Sequence, residues 1–173
     1  MATQLLVLIV LAGLVTPMAG QSTTAIQGVW RVVERTIPAS TADRRDPFGA
    51  FSEGTHTNLQ PELMIFTAKH YSRTTDTAAQ PRPTTGYKIP GKPTLEELQA
   101  EWGPFAANAG TYEVSGTTLT LRAMVAKSPR AQADKNFTRL SVKLDGNHLW
   151  LTPIDTETGK IAAPVTSKYM RVE

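Results

Sequence analysis

The side chains able to do chemistry are few and scattered. Three histidines, His56, His70 and His148, share no His-Glu-x-x-His or comparable spacing, so only the fold could converge them on a metal, and no metal site is expected. Cysteine is absent, which removes thiolate ligands, a cysteine nucleophile and any disulfide framework together. No Gly-x-Ser-x-Gly elbow, phosphate-cradling glycine loop or dinucleotide fingerprint occurs. No cofactor is expected and no catalytic residue is assigned. The densest reactive group is His70-Tyr71-Ser72-Arg73. On a strand, alternation sends His70 and Ser72 to one face and Tyr71 and Arg73 to the other. Facing an apolar cavity, Tyr71 and Arg73 would orient a carboxylate or carbonyl; on an exterior they are an ordinary surface pair. Arg122, flanked by Leu121 and Ala123 and sharing parity with Met124, poses the same choice. Tyr87 sits in a proline-rich stretch that must lie on the surface or across an opening. Tyr71, Arg73, Tyr87, Arg122 and Met124 are therefore the candidate ligand contacts.

Strand signals dominate the elements that must position these residues. Residues 26–36 are rich in β-branched side chains, with Trp30, Val32 and Glu34 on one parity and Val29, Arg31 and Val33 on the other. A loop from 38 to 59 follows, whose Phe48 and Phe51 are expected to plug one end of the core. Residues 62–67 and 70–76 read as two strands about a connection at Ala68 and Lys69, or as one bent strand. Thr94 with Glu97 forms a capping box, Leu95, Leu98 and Trp102 fall on one helical face, and Gly103-Pro104 ends the helix. Trp102 is expected to pack that helix on the rest of the fold. Five further strands follow at 110–115, 117–126, 137–144, 149–154 and 165–172. Their turns are at Ser115-Gly116, at the three residues Asp145-Gly146-Asn147, and at 156–160, closed by Gly159. Trp150 shares parity with His148 and Thr152, opposite Leu149 and Leu151, and stands as an exposed patch or a packing site for the helix.

About eight strands joined mostly by short turns must pair antiparallel. The expected fold is all-β, an antiparallel up-and-down barrel with one short helix, with a two-sheet sandwich as the alternative. The 173 residues give room for one domain, and Lys+Arg 18 against Asp+Glu 15, with charged residues only 19%, argue against a nucleic-acid partner. Residues 5–15 form an apolar run followed by Thr16, Pro17, Met18, Ala19 and Gly20. The run is short for a membrane span and reads as a secretory signal peptide over 1–20. The barrel domain then occupies 21–173, secreted or periplasmic, with no stable membrane span after cleavage.

Gly28-Val29-Trp30 on the first strand and Arg171 on the last resemble the lipocalin signature, a Gly-x-Trp motif whose indole is covered by a late arginine. The blocks Phe66-Thr67-Ala68-Lys69-His70-Tyr71-Ser72 and, from Trp102 to Val114, Trp-Gly-Pro-Phe-Ala-Ala-Asn-Ala-Gly-Thr-Tyr-Glu-Val are similar to secreted bacterial proteins with a lipocalin-like domain, a calycin-type barrel. That similarity runs over residues 28–172. The chain departs from better-known lipocalins in lacking their Thr-Asp-Tyr motif and disulfide and in carrying its helix mid-chain. The resemblance implies structural roles for Gly28, Trp30 and Arg171, with Trp30 sealing the narrow end of the barrel and Arg171 stacked upon it, a contact worth about 0.5–2 kcal/mol. It implies no catalytic residue. Three functions fit: a barrel binding a small hydrophobic or amphipathic molecule, a small isomerase- or cyclase-type enzyme using His70 or Tyr71 for proton transfer, and an envelope protein with a filled barrel and a partner patch at Trp150.

Overall fold

Alternation of buried and exposed side chains runs through nearly every extended segment of the chain, and it places one apolar face of each strand inward. A computed structural model of the protein describes residues 23–39, 52–82 and 87–173. The expected leader, Phe48 and Phe51 lie outside the described residues. Among the described residues the strands are β1 (Gly28–Ile37), β2 (Gly54–His56), β3 (Glu62–Phe66), β4 (His70–Asp76), β5 (Phe105–Ser115), β6 (Thr118–Ala126), β7 (Thr138–Asp145), β8 (His148–Thr156), β9 (Gly159–Lys160) and β10 (Thr166–Arg171). One α-helix, α1 (Leu95–Trp102), and two 3-10 turns, Thr23–Ile26 and Pro129–Gln132, complete them.

β1, β3, β4, β5, β6, β7, β8 and β10 pair antiparallel in that order, and β10 pairs with both β8 and β1. The ring is closed: an eight-stranded up-and-down barrel rather than a sandwich. β2 and β9 are short additions to β1 and β8. Closure gives the barrel strands partners on both sides and removes the open edges that a meander would otherwise leave. Inside, Met64, Phe66, Leu119, Leu121, Leu140, Val142, Leu149 and Leu151 form one cluster with Trp30 and three tyrosines. Each such aliphatic side chain contributes about 1.5–3 kcal/mol through burial.

Three local features differ from the simple pattern. β1 carries a bulge between Val32 and Glu34, so Trp30, Val32 and then Arg35 are buried. The extra residue shifts the parity, and Glu34 is not the inward residue that uniform alternation gives. The β3–β4 connection, weak in turn residues at Ala68 and Lys69, is tied by Thr67, whose amide donates to the His70 carbonyl at 2.8 Å and whose Oγ1 accepts from the His70 amide at 3.1 Å. The hairpins at 116 and 146 are both two-residue loops, since Ser115 pairs with Thr118 and Asp145 with His148. Gly116 and Gly146 supply their positive φ, at 59° and 54°.

Helix α1 has the expected capping box: the Glu97 amide donates to Thr94 Oγ1 at 3.2 Å and the Thr94 amide to Glu97 Oε2 at 2.7 Å. It buries none of its residues, however. Trp102 meets Phe105 edge-on, ring centroids 6.2 Å apart, and stays half-exposed. The apolar stripe of the helix is thus not packed into the core, and among the described residues no helix is long and apolar enough to cross a membrane.

Candidate functional site: the barrel interior

One end of the barrel is sealed. Trp30 is fully buried, its Nε1–H donates to the Ile26 carbonyl at 2.8 Å, and the Arg171 guanidinium lies 4.1 Å from the ring centroid. Trp30 and Arg171 are direct cross-strand partners. Arg171 is held over the indole by hydrogen bonds to the carbonyls of Ala25, at 2.8 Å, and Gln27. Gly28 is needed here: its φ is +126°, and a Cβ would lie 2.3 Å from the Glu173 carbonyl oxygen. Gly28, Trp30 and Arg171, the positions that carry the Gly-x-Trp resemblance, are thus in mutual contact where β1 begins and β10 ends.

Above the stopper the barrel holds a cavity of about 110 Å³. Met64, Leu121, Leu140 and Leu151 make its apolar wall, and Tyr71, Arg73, Asn108, Ser167 and Tyr169 its polar groups. Ala131, Asn136, Phe137 and Pro153 line it at the barrel end opposite Trp30, and Phe137 is backed there by Arg139 and Arg122, 4.6 and 5.8 Å from its centroid. Asn136 is fixed by its amide donating to the Arg130 carbonyl at 2.9 Å.

Arg73 and Tyr169 on the cavity lining belong to an ionic cluster drawn from four strands. Glu62 of β3 is buried and accepts from Arg73 Nε at 2.8 Å, from Arg73 Nη2 at 3.3 Å, from the Tyr169 hydroxyl at 2.5 Å and from Arg35. Arg35 also donates to Thr75 Oγ1 at 3.1 Å. Burial by itself would raise the Glu62 carboxyl; Arg73, Arg35 and the Tyr169 hydroxyl outweigh it and hold the group at about 2. Burial and the neighbouring Glu62 push Tyr169 upward, and burial raises Tyr71 to about 12 against the opposing pull of Arg73. Both phenols are neutral at physiological pH. Burial pulls the Arg73 guanidinium downward and Glu62 more than reverses it, so the group is permanently cationic.

Of the five candidate contacts, the fold brings two together. Tyr71 and Arg73 both line the cavity, while His70 on the opposite parity is exposed, so His70 and Tyr71 do not converge on one substrate. Arg122 and Met124 lie on the outside of β6, because Leu121 and Ala123 take the inward positions. Met124 is 65% exposed, and a β-bulge there sets Ala109 opposite Val125 and Gly110 opposite Ala123. Tyr87 is half-buried but outside the cavity lining. The indole of Trp150 is flanked by Lys143 Nζ at 4.9 Å and Lys168 Nζ at 5.2 Å, from the strands on either side. It is half-buried under these lysines rather than a bare apolar patch.

Sequence reading missed Arg35, Glu62, Thr75 and Tyr169. Glu62 had a legible signal: an acid on the same parity as Met64 and Phe66 must either break the strand pattern or enter the core with a partner. Arg35 had none, since only the bulge turns it inward. No protein-family model and no curated protein matches the sequence. Among solved structures, a point variant of the fluorescent protein UnaG is similar with a TM-score of 0.36 and 11% identity, over 88% of this chain and 99% of that one.

Proposed function

We propose that this protein binds a small amphipathic molecule inside its barrel. The observation that carries this reading is a leucine-walled cavity of about 110 Å³ with the Arg73 guanidinium on its lining and one end stoppered by Trp30. An apolar body gains from burial against Leu121, Leu140 and Leu151, and a polar end gains orientation from Arg73 and Tyr71. The ligand site is extracytoplasmic in this proposal, secreted or periplasmic, which the apolar run at 5–15 and the small residues after it support. Amino-terminal sequencing of exported protein tests that part, and a mature chain starting near residue 21 is the expected result.

Binding is tested by thermal denaturation against a panel of small amphipathic compounds, with Ala123→Leu as the cavity-filling control. A ligand at hundredfold excess over its Kd stabilises the native state by about 2.7 kcal/mol, a rise of several degrees in Tm. Ala123→Leu should fold and lose the response. A panel that leaves the Tm unmoved, with native mass spectra free of any retained compound, would sink the proposal.

A further inference from the structure

Among the described residues the cluster beside the cavity is not electrically balanced. Arg35 and Arg73 bring two positive charges to the single carboxylate of Glu62, and Tyr169 stays neutral beside them. Among the described residues no second carboxylate reaches the cluster or lines the cavity. Asp76, the nearest along β4, is engaged by Arg82 at 2.5 Å. Among these residues one positive charge is left over, and 36% of the Arg73 side chain remains accessible.

The unused hydrogen-bonding capacity points the same way. Arg73 turns its Nε–Nη2 edge to Glu62, while its Nη1 has no acceptor among the described residues. A guanidinium holds donors on more than one edge, so the Nη1–Nη2 edge can take a second planar carboxylate. Asn108 is the cross-strand partner of Arg73, lines the same cavity, and makes no side-chain hydrogen bond among the described residues. Two donors without acceptors among the described residues thus sit on neighbouring strands and line one cavity, where a single ligand carboxylate would accept from both.

Size sets the other limit. An apolar cavity of roughly 150 Å³ encloses benzene, so about 110 Å³ encloses about four non-hydrogen atoms, and a ring or a longer body must run partly out past Phe137. Resting on the ligand-binding reading, we propose that the cavity takes a compact monocarboxylate, a carboxylate on a short branched or monocyclic apolar body, and that Glu62 limits the ligand to one negative charge. A monoanion brings the interior to neutrality; a dianion overshoots it.

Titration calorimetry with benzoate, its neutral isostere benzamide, and succinate as a compact dianion reads this directly, with toluene as an uncharged apolar probe. Benzoate should bind on the order of tenfold or more tighter than benzamide, as expected for hydrogen bonds to a charged group, and succinate should not bind. Asn108→Leu, which leaves the ionic cluster intact, should lose most of the preference for benzoate over benzamide. Glu62→Gln, where it folds, should admit succinate. Equal affinity for benzoate and benzamide would overturn the monoanion inference and leave the binding reading standing. No heat from any probe, toluene included, would overturn both. Succinate binding to the unsubstituted protein as tightly as benzoate would remove the charge limit assigned to Glu62.

Discussion

Glu62 is buried and ionised at once, which only its three donor side chains make tolerable. Its folded value of about 2 lies below the ordinary 4.5, so the native state holds the proton less tightly than the unfolded chain does. The resulting stabilisation is complete above about pH 4.5 and is lost as pH falls toward 2, a swing of about 3 kcal/mol. Urea denaturation between pH 2 and 7 should show that acid limb, and Glu62→Gln should lack it. At pH 7 Glu62→Gln should cost roughly 3–5 kcal/mol, because it leaves the buried Arg35 guanidinium and the part-buried one of Arg73 without their carboxylate. At the other end, Arg171→Met should lose about 1–2 kcal/mol in the same assay, since it removes the cation from the Trp30 face.

The elements differ in how firmly they are held. The β5–β6 pair depends on Gly110: a Cβ there would lie 1.9 Å from the Arg122 carbonyl oxygen and 2.8 Å from the Met124 nitrogen. Both are backbone atoms at a bulge, so the strands themselves would have to part. Gly110→Ala should therefore destabilise the barrel by at least ~2 kcal/mol, seen as a lower urea midpoint. Helix α1 behaves in the opposite way. It buries no residue, and Leu95 is 71% exposed, so its stability rests on the Thr94–Glu97 cap and on attachments such as Arg82 donating to the Glu101 carbonyl at 2.8 Å. Thr94→Ala should cost the helix about 1 kcal/mol. The global Tm should stay within error while amide exchange over residues 95–102 accelerates.

At the scale of the molecule, closure through β10 is what distinguishes this barrel from a curled open sheet. β10 pairs with β1 over Trp30 to Thr36 and with β8 over His148 to Leu151. Deleting residues 166–173 would expose both neighbouring edges and unseat Tyr169 and Arg171 at once. Loss of the native peak in size-exclusion chromatography and of cooperative unfolding is the expected result. The cluster around Glu62 ties β1, β3, β4 and β10 together beside the cavity. Hydrogen bonds drawn from four strands fix those polar groups in place.

Much of this was written in local order along the chain. Strand alternation, the Thr94–Glu97 cap and the glycines at positive φ are short-range matters, settled by sterics and by side chains a few residues apart. Consecutive strands with short turns likewise leave a meander as the simple antiparallel solution. The pairing of Trp30 with Arg171 spans almost the whole chain, yet it was readable from the resemblance of both positions to a known motif. Tertiary structure decided the rest: barrel over sandwich, Tyr71 and Arg73 inward, Arg122 and Met124 outward. The convergence of Arg35, Glu62, Arg73 and Tyr169 also belongs to it. Parity along one strand says which residues share a face but not which face is inside. A single bulge, as at Val32 to Glu34, reverses the answer for every residue beyond it.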